Sequence, residues 1–278
     1  MENNKVWFVT GASKGLGLTL VKALLANGHR VAATSRTQQA LTNEVGRQDS
    51  FLPLELDLTN NADVAKAVET AIGKFGKIDV MVNNAGYCQI GTLEELTDEE
   101  ARKNFDVNVF GALNIIRNIT SHFRKQQSGH IFNIASVGGV VGNFPGFGIY
   151  CSTKFAMAGF TEALAEEMKP FGVHTTLVYP GYFRTNFLSK GSVQRPKDPI
   201  LDYASAREVE TAHIDQINGN QANDPEKAAQ LFIQLSKMEH PPVHFFMGMD
   251  AYEMAHSKIE MLTNELEKWK EYTASTGY

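Results

Sequence analysis

The segment that most constrains the fold of this 278-residue chain is a glycine-rich string near the N-terminus. Thr10-Gly11-Ala12-Ser13-Lys14-Gly15-Leu16-Gly17 follows a short apolar run, 5–10, and opens a stretch of helical periodicity, 15–27. Glycines allow a tight turn, and a helix N-terminus offers free N–H groups and partial positive charge to an anion. Glycine-rich strings also occur in ordinary turns, but the strand before this one and the helix after it indicate a phosphate-binding loop of a dinucleotide-binding fold.

Short apolar runs alternate with helical stretches along the rest of the chain. The runs are rich in β-branched and aromatic residues without polar alternation, which predicts parallel strands covered on both faces. The predicted strands are 5–10, 30–35, 51–56, 78–82, 129–134, 173–179 and 243–246, and the predicted helices are 15–27, 60–75, 98–124, 149–168 and 225–237. We therefore predict an α/β fold in a single domain, 1–278, with a doubly wound Rossmann-type parallel sheet of about seven strands flanked by helices.

Two segments lie outside this alternation. Residues 186–223 form a long connection with a short helical stretch, 204–217, and such long connections in compact domains often serve as lids, so we predict a helical substrate lid. A C-terminal helix is predicted at about 250–271, where apolar residues recur every three or four positions. They are Tyr252, Ala255, Ile259, Leu262, Leu266 and Trp269. We expect this stripe to pack on its own domain; a seam between copies of the chain is the alternative.

Composition argues against several classes of protein. The hydrophobic content of 43% supports a sizeable core, and a net charge of −5 with interspersed charges gives no clustered basic surface for nucleic acid. The N-terminal apolar run is too short for a signal peptide or a membrane span. Two cysteines, Cys88 and Cys151, are too few for a disulfide framework and fit a reducing compartment. Together, these features predict a cytoplasmic protein without nucleic-acid or membrane partners. We expect no metal site, because prolines between His240 and His244 prevent the helix that would align them.

A tyrosine and a lysine on the predicted helix 149–168 form an acid–base pair. Tyr150 and Lys154 are four residues apart and therefore project from the same face. A free phenol has a pKa of about 10, and a nearby ammonium stabilises the phenolate, so the pair could donate or accept a proton near neutral pH. Ser136 follows a predicted strand and can hydrogen-bond a substrate oxygen as negative charge develops on it.

Together these motifs resemble the short-chain dehydrogenase/reductase family. The resemblance runs from about residue 6 to at least residue 185. Its motifs are Thr10–Gly17, Asp57-Leu58, Asn83-Asn84-Ala85-Gly86, Asn108, Ser136, Tyr150/Lys154 and Pro180-Gly181. The string Asn108-Val109-Phe110-Gly111 and the long segment after Gly181 are most similar to the hydroxysteroid and retinol dehydrogenase branch. The resemblance implies an NAD(P)-dependent oxidoreductase acting on CH–OH or C=O groups, assembled as a homodimer or homotetramer.

The resemblance also implies roles for individual residues. Lys154 would hold the nicotinamide ribose, Thr185 would bind the nicotinamide amide and Asp57 would face the adenine. Asn108 would hold a water that relays protons to Lys154; the alternative is an exposed polar residue on a helix. The candidate catalytic residues are Ser136, Tyr150, Lys154 and Asn108. The candidate cofactor-binding residues are Gly11, Ser13, Lys14, Gly15, Leu16, Gly17, Arg36, Asp57, Leu58, Asn84, Ala85, Gly86, Tyr150, Lys154, Pro180, Gly181 and Thr185.

The end of the second predicted strand favours NADP(H) over NAD(H). An acidic residue there would accept hydrogen bonds from the ribose diol and repel a 2′-phosphate. The stretch Ala33-Thr34-Ser35-Arg36-Thr37 has no carboxylate, and its arginine can bind a phosphate through two charged hydrogen bonds. Lys14 adds a second cation on the same side, by resemblance. The alternative is that both are solvated surface charges.

The leading functional hypothesis is an NADPH-dependent carbonyl reductase or alcohol dehydrogenase for an apolar ketone or secondary alcohol, with Tyr150 as general acid/base. The candidate substrate-binding residues are Ser136, Phe144, Phe147, Tyr182 and Phe187, with Phe183 and Leu188 as further wall candidates. Each aromatic residue could equally be core. Tyr150 lies fourteen positions after Ser136, one more than in the family pattern, so the sequence does not fix the path of the loop 142–148 over the substrate. The alternatives are a non-catalytic NADP(H)-binding regulator on the same fold and a sugar-nucleotide epimerase or dehydratase.

Overall fold

The computed structural model of the protein describes residues 4–189 and 191–278, so residues 1–3 of the predicted domain and Lys190 of the predicted lid lie outside the described residues. The strands are β1 (Val6–Val9), β2 (Arg30–Ser35), β3 (Phe51–Glu55), β4 (Val80–Asn83), β5 (Cys88–Gln89), β6 (Gly129–Ile134), β7 (Val173–Pro180), β8 (Val193–Gln194) and β9 (His244–Met247). The helices are α1 (Gly15–Ala26), α2 (Gln38–Val45), α3 (Asn61–Phe75), α4 (Asp98–Phe105), α5 (Gly111–Gln126), α6 (Gly148–Met168), α7 (Ala204–Thr211), α8 (Pro225–Leu235), α9 (Met249–Lys268) and α10 (Lys270–Ala274).

Seven of the strands form one parallel sheet in the order β3-β2-β1-β4-β6-β7-β9, which confirms the predicted doubly wound fold. Alternate residues of β1 face two separate cores. Trp7 and Val9 pack in the core that contains Leu24 of α1 and Phe232 of α8, and Phe8 packs in the core formed with α3, α5 and α6. Helices therefore cover both faces of the sheet, which explains why its strands show no polar alternation.

The direction of strand addition reverses at β1. This strand pairs in parallel with β2 on one side and with β4 on the other. The connections after β1 and β4 consequently leave the sheet on opposite faces, and a crevice opens between them at the carboxyl ends of the strands.

Three local features differ from the sequence predictions. Helix α2 was not predicted, and its weak pattern follows from its packing, because Leu41 is its only buried residue. The predicted helix 98–124 is divided into α4 and α5 by a π-helical turn, Asp106–Phe110. The two-residue strands β5 and β8 pair with each other and are too short for periodicity to detect.

The prediction that the C-terminal stripe packs on its own domain is wrong beyond Ala255. Ala251 and Ala255 are buried, but Ile259 is 59% exposed, Leu266 is 70% exposed, and every residue from 259 to 278 is exposed. Helix α9 thus contacts the domain through its first two turns and then continues into solvent. Within the two described ranges, no helix combines the length and apolar content needed to cross a bilayer.

A matched pair of leucine substitutions tests this arrangement. Leu24→Ala should lower the free energy of unfolding by about 2–5 kcal/mol, since it leaves a cavity in a close-packed core. Leu266→Ala should change it by about 0.5 kcal/mol or less, as is usual at exposed positions. Urea unfolding followed by circular dichroism would measure both. An equal loss from Leu266→Ala would contradict the exposed arrangement and indicate that a second copy covers the stripe.

Candidate active site

A cavity of about 1340 Å³ opens at the carboxyl ends of the parallel strands. Every candidate site residue lines it except Gly17 and Asn108, which lie directly behind its wall. The motifs that are scattered along the sequence therefore meet around one space. In the described part of the chain, no group of three or more His, Cys, Asp or Glu side chains could hold a metal ion.

The glycine loop lies directly against the turn that follows β4. Gly11 has φ +64°, and a Cβ built on it would lie 2.6 Å from Ala85 Cα. A Cβ on Gly17 would lie 2.4 Å from Asn84 Nδ2, which donates to the carbonyl of Thr10 at 2.9 Å. The Thr10 hydroxyl accepts from the backbone N–H groups of Asn84 and Ala85 at 3.0 and 3.1 Å. This turn is consequently both a structural element and part of the cavity wall.

Tyr150 and Lys154 lie one turn apart on α6, and both are buried. Lys154 Nζ is 5.8 Å from the centre of the Tyr150 ring and donates to the carbonyl of Ile134 at 2.8 Å. Ser136 caps a short 3₁₀ turn through its Oγ, which accepts from Gly138 N at 3.1 Å. The end of β6 and the first turns of α6 thus bring the three candidate residues to one wall.

Burial dominates the titration of this pair. It raises the pKa of the Tyr150 phenol well above its usual value, and a hydrogen bond with Ser136 acts in the opposite direction. Burial also lowers the pKa of Lys154 to about 8. Desolvation therefore outweighs the lowering of the Tyr150 pKa that we expected from Lys154. At neutral pH the phenol keeps its proton, and most of the Lys154 side chains are charged.

Asn108 lies in the π-helical turn and is completely buried, so the alternative of an exposed polar residue on a helix is wrong. Its Nδ2 donates to the carbonyl of Tyr87 at 3.0 Å and to the hydroxyl of Thr153 at 3.1 Å, and its Oδ1 accepts from Tyr87 N at 3.0 Å. A Cβ on Gly86 would lie 3.0 Å from Asn108 Oδ1 and 3.7 Å from Lys154 Nζ. Asn108 therefore supports the wall beside Lys154; its role in a water relay stays a prediction.

Two cations lie together at the end of the cavity beyond β2. Lys14 and Arg36 both line it, and burial followed by the charge of Arg36 lowers the pKa of Lys14. Glu55 also lines this end of the cavity. Asp57 lines it after β3, and its Oδ1 accepts from the N–H and hydroxyl groups of Thr59 at 2.9 and 2.8 Å. This end of the cavity therefore contains both signs of charge, with the two cations near each other.

The loop before Tyr150 runs beneath the lid. Gly146 has φ +82°, its carbonyl accepts from Gly91 N at 2.8 Å, and a Cβ on it would lie 3.4 Å from Ala206 of α7. This turn therefore lies between the lid and the connection after β5.

Three aromatic candidates, Phe144, Phe147 and Phe187, belong to one cluster around Tyr150, whereas Phe183 packs against the core that contains Leu24 and Phe232. Phe147 is buried, Phe144 and Phe187 are partly buried beside it, and the ring centres of Tyr150 and Phe187 are 6.2 Å apart. These side chains pack together and also line the cavity. For these three residues, the two interpretations left open by the sequence, core and cavity wall, therefore both hold.

Ion pairs that the sequence did not indicate hold the lid, and the Glu95 side chain in them is buried. Arg207 of α7 pairs with Glu95 at 2.8 Å and with Glu210 at 2.9 Å, and Arg195 pairs with Glu210 at 2.8 Å. Burial alone would raise the pKa of Glu95, but N–H donors from Thr92 and the lid, together with Arg207, hold it below its usual value. The lid is thereby tied to the connection between β5 and α4.

The turn after β7 is held by the C-terminal helix. Asp250, in the first turn of α9, accepts from Tyr182 N at 2.6 Å and from Asn223 Nδ2 at 2.8 Å. The same Asn223 amide donates to the carbonyl of Tyr182 at 3.1 Å. A Cβ on Gly181 would lie 2.2 Å from the Asp250 carboxylate, which explains the glycine at this position. Sequence reasoning missed Asp250 and Asn223, because no local motif marks them.

Comparisons with known proteins agree with this geometry. A model of the short chain dehydrogenase family matches residues 5–195. Oxidoreductase BOA17 of Botryotinia fuckeliana is 34% identical over 275 residues, covering 98% of this chain and 99% of the relative. The 3-ketodihydrosphingosine reductase of Bacteroides thetaiotaomicron is 34% identical over 246 residues, covering 88% of each.

Solved structures share the fold over nearly the whole chain. A short-chain dehydrogenase from Streptomyces avermitilis has a TM-score of 0.90 and 32% identity, with 100% of both chains covered. A short chain dehydrogenase from Burkholderia cenocepacia in complex with NADP has a TM-score of 0.73 and 26% identity, with 96% of this chain and 97% of that chain covered. The 3-ketoacyl-(acyl-carrier-protein) reductase of Brucella melitensis, complexed with NADH, has a TM-score of 0.73 and 25% identity, with 88% and 96% covered.

Replacing Asp250 tests the support of the turn. Asp250→Ala should destabilise the protein by about 1–3 kcal/mol, because it leaves Tyr182 N without its acceptor. Hydrogen exchange at the Tyr182 amide should become faster in the same variant. Asp198→Ala, which removes an exposed carboxylate of the lid, is the matched control and should change neither quantity. Unchanged exchange at Tyr182 in Asp250→Ala would show that the carboxylate does not hold the turn.

Proposed function

The chain belongs to the short-chain dehydrogenase family and is an oxidoreductase, and on this premise we propose that it is an NADPH-dependent carbonyl reductase that interconverts an apolar ketone and a secondary alcohol. The observation that carries the proposal is the meeting of Ser136, Tyr150 and Lys154 on a wall of the cavity that the glycine loop also lines. In the reverse direction the same residues would serve an alcohol dehydrogenase. The hydroxysteroid and retinol dehydrogenase branch stays a prediction.

The residues around the glycine loop fit a dinucleotide. Residues 13–16 line the cavity, and Lys14, the N-cap of α1, makes no side-chain cap to the first N–H groups of that helix. A pyrophosphate is the kind of group that accepts hydrogen bonds from such a helix N-terminus. The missing side chain at Gly11 keeps the backbone there close to the turn after β4. These features support a nicotinamide dinucleotide as the cofactor.

A bound nicotinamide would supply the hydride, and side chains of the protein would donate the proton and stabilise the developing charge. Tyr150 holds its phenolic proton at neutral pH, as a general acid for ketone reduction must. Ser136 would donate to the carbonyl oxygen and stabilise the charge that develops there. Lys154 remains mostly cationic below a pH of about 8 and would hold the nicotinamide ribose beside Tyr150. Thr185 lies beside the glycine loop, since a Cβ built on Gly15 would be 3.7 Å from Thr185 Cβ, and it would bind the nicotinamide amide.

Lys14 and Arg36 support NADP(H) as the preferred cofactor. Their proximity concentrates positive charge where the second strand ends, and a 2′-phosphate would neutralise it. Arginine can donate two parallel hydrogen bonds to a phosphate, whereas an uncharged ribose diol offers a cation no ion pair. We further propose that the enzyme is a cytoplasmic homodimer or homotetramer acting on a small-molecule substrate, with Asp57 and Leu58 beside the adenine.

Replacing the proposed proton donor tests the reaction. Tyr150→Phe should lower kcat for ketone reduction by at least about 100-fold, because general acid catalysis is lost. NADPH affinity, measured by nucleotide fluorescence, should stay within about threefold, since the phenol proton contributes to the chemical step. Tyr252→Phe, on the exposed face of α9, is the control. Retained turnover in Tyr150→Phe would overturn the mechanism, and NADPH binding without turnover of any ketone by the unaltered protein would favour the non-catalytic regulator.

Charge reversal at Arg36 tests the choice of cofactor. Arg36→Asp should lower the ratio of kcat/KM for NADPH to that for NADH by about 10- to 100-fold, as expected for loss of a charged hydrogen bond. Arg47→Asp, an exposed charge reversal outside the cavity lining, is the matched control. Steady-state kinetics with both cofactors would give the ratio. An equal fall with NADH and NADPH would argue against a phosphate contact at Arg36.

A further inference from the structure

The lid contains a histidine, His213, whose surroundings indicate a second polar subsite in the cavity. It lies in the π-helical turn Ala212–Ile217 that continues α7, is 8% exposed and lines the cavity together with Tyr182. Its ring centre is 4.6 Å from that of Phe147 and 6.3 Å from that of Phe144. A polar side chain is thus held firmly among the aromatic residues of the wall.

Hydrogen bonds determine which nitrogen of His213 carries the proton. Nδ1 lies 2.7 Å from the carbonyl of Val209, and a carbonyl only accepts, so Nδ1 must donate. Nε2 therefore has a free lone pair and accepts from the Tyr182 hydroxyl at 2.9 Å. Burial lowers the pKa of His213, opposed by its bond to Val209, and thus favours the neutral ring.

This arrangement fixes the hydrogen-bonding role of the Tyr182 hydroxyl. Its hydrogen is used in the bond to His213, so towards a ligand the oxygen can only accept. Donating to the imidazole also strengthens the oxygen as an acceptor, because neighbouring hydrogen bonds polarise one another. The turn that carries Tyr182 is itself fixed by Asp250, so this acceptor has a fixed position.

We propose that Tyr182 and His213 form a second subsite that accepts a hydrogen bond from a hydroxyl or N–H group of the substrate other than the reacting carbonyl. The subsite selects ketones that carry such a donor over analogues with an ether or hydrocarbon there. A site built for a hydrogen bond rejects an analogue lacking the group, because its own polar atom is left unpaired. The inference rests on the proposed function for the reacting end of the substrate.

Matched ketones provide the first test. The probes are 4-(4-hydroxyphenyl)butan-2-one, its methyl ether and 4-phenylbutan-2-one, with 4-hydroxyacetophenone, its methyl ether and acetophenone as a shorter series. In at least one series, kcat/KM for the hydroxyl compound should exceed that for the ether by about tenfold or more. No preference in either series would overturn the subsite.

Two variants separate this role from a structural one. Tyr182→Phe should abolish the preference, because the acceptor is gone. His213→Leu frees the Tyr182 hydroxyl to donate and should shift the preference towards the methyl ether, which can only accept. Tyr179→Phe is the matched control, since Tyr179 pairs with His244 Nδ1 at 3.1 Å and neither belongs to the described cavity lining. A preference retained in Tyr182→Phe would also overturn the proposal.

Calorimetric binding of the same ketones to the protein loaded with NADP⁺ distinguishes the two proposals. Tighter binding of the hydroxyl compounds, lost in Tyr182→Phe, supports the subsite even if no ketone is reduced, and in that case only the reductase function fails. Reduction of the hydroxyl, ether and hydrocarbon compounds with equal efficiency and equal affinity would instead overturn the subsite and leave the reductase function standing.

Discussion

The close approach of the glycine loop to the turn after β4 is the constraint on which the rest of the site depends. Gly11 adopts a positive φ in a space that a Cβ would share with Ala85. The Thr10 hydroxyl and the Asn84 amide then join the two segments through hydrogen bonds in both directions. Because β1 and β4 are neighbours in the sheet, this contact fixes the glycine loop against the turn after β4, and both segments line the cavity that Tyr150 also lines.

Burial has opposite effects on the two members of the proposed catalytic pair. It raises the pKa of the Tyr150 phenol and lowers that of the Lys154 ammonium, so both effects favour the uncharged forms. The carbonyl of Ile134 offsets part of this cost by accepting from Lys154. A phenol in this setting is well suited to give up a proton only when negative charge forms beside it, as it does on the oxygen of a reduced ketone.

The sequence predicted the sheet well because its strands are buried on both faces. Strands 30–35 and 129–134 agree with the structure at both ends. Periodicity failed for the C-terminal stripe, since a repeat at positions such as Ile259 shows that a helix has an apolar face and says nothing about what covers it. The candidate cavity residues followed from ordered motifs. Asp250 and His213 did not, because they act on Tyr182 from 68 and 31 residues away, and no local pattern encodes such contacts.

The contact between Asp250 and the turn after β7 links the site to the order in which the chain is made. The family match ends at residue 195, and every motif residue has been synthesised by then. The acceptor for Tyr182 N comes 68 residues after that amide, on the helix that follows the last strand. A nascent chain on the ribosome thus contains every motif residue before the carboxylate that holds the turn after β7 has been added.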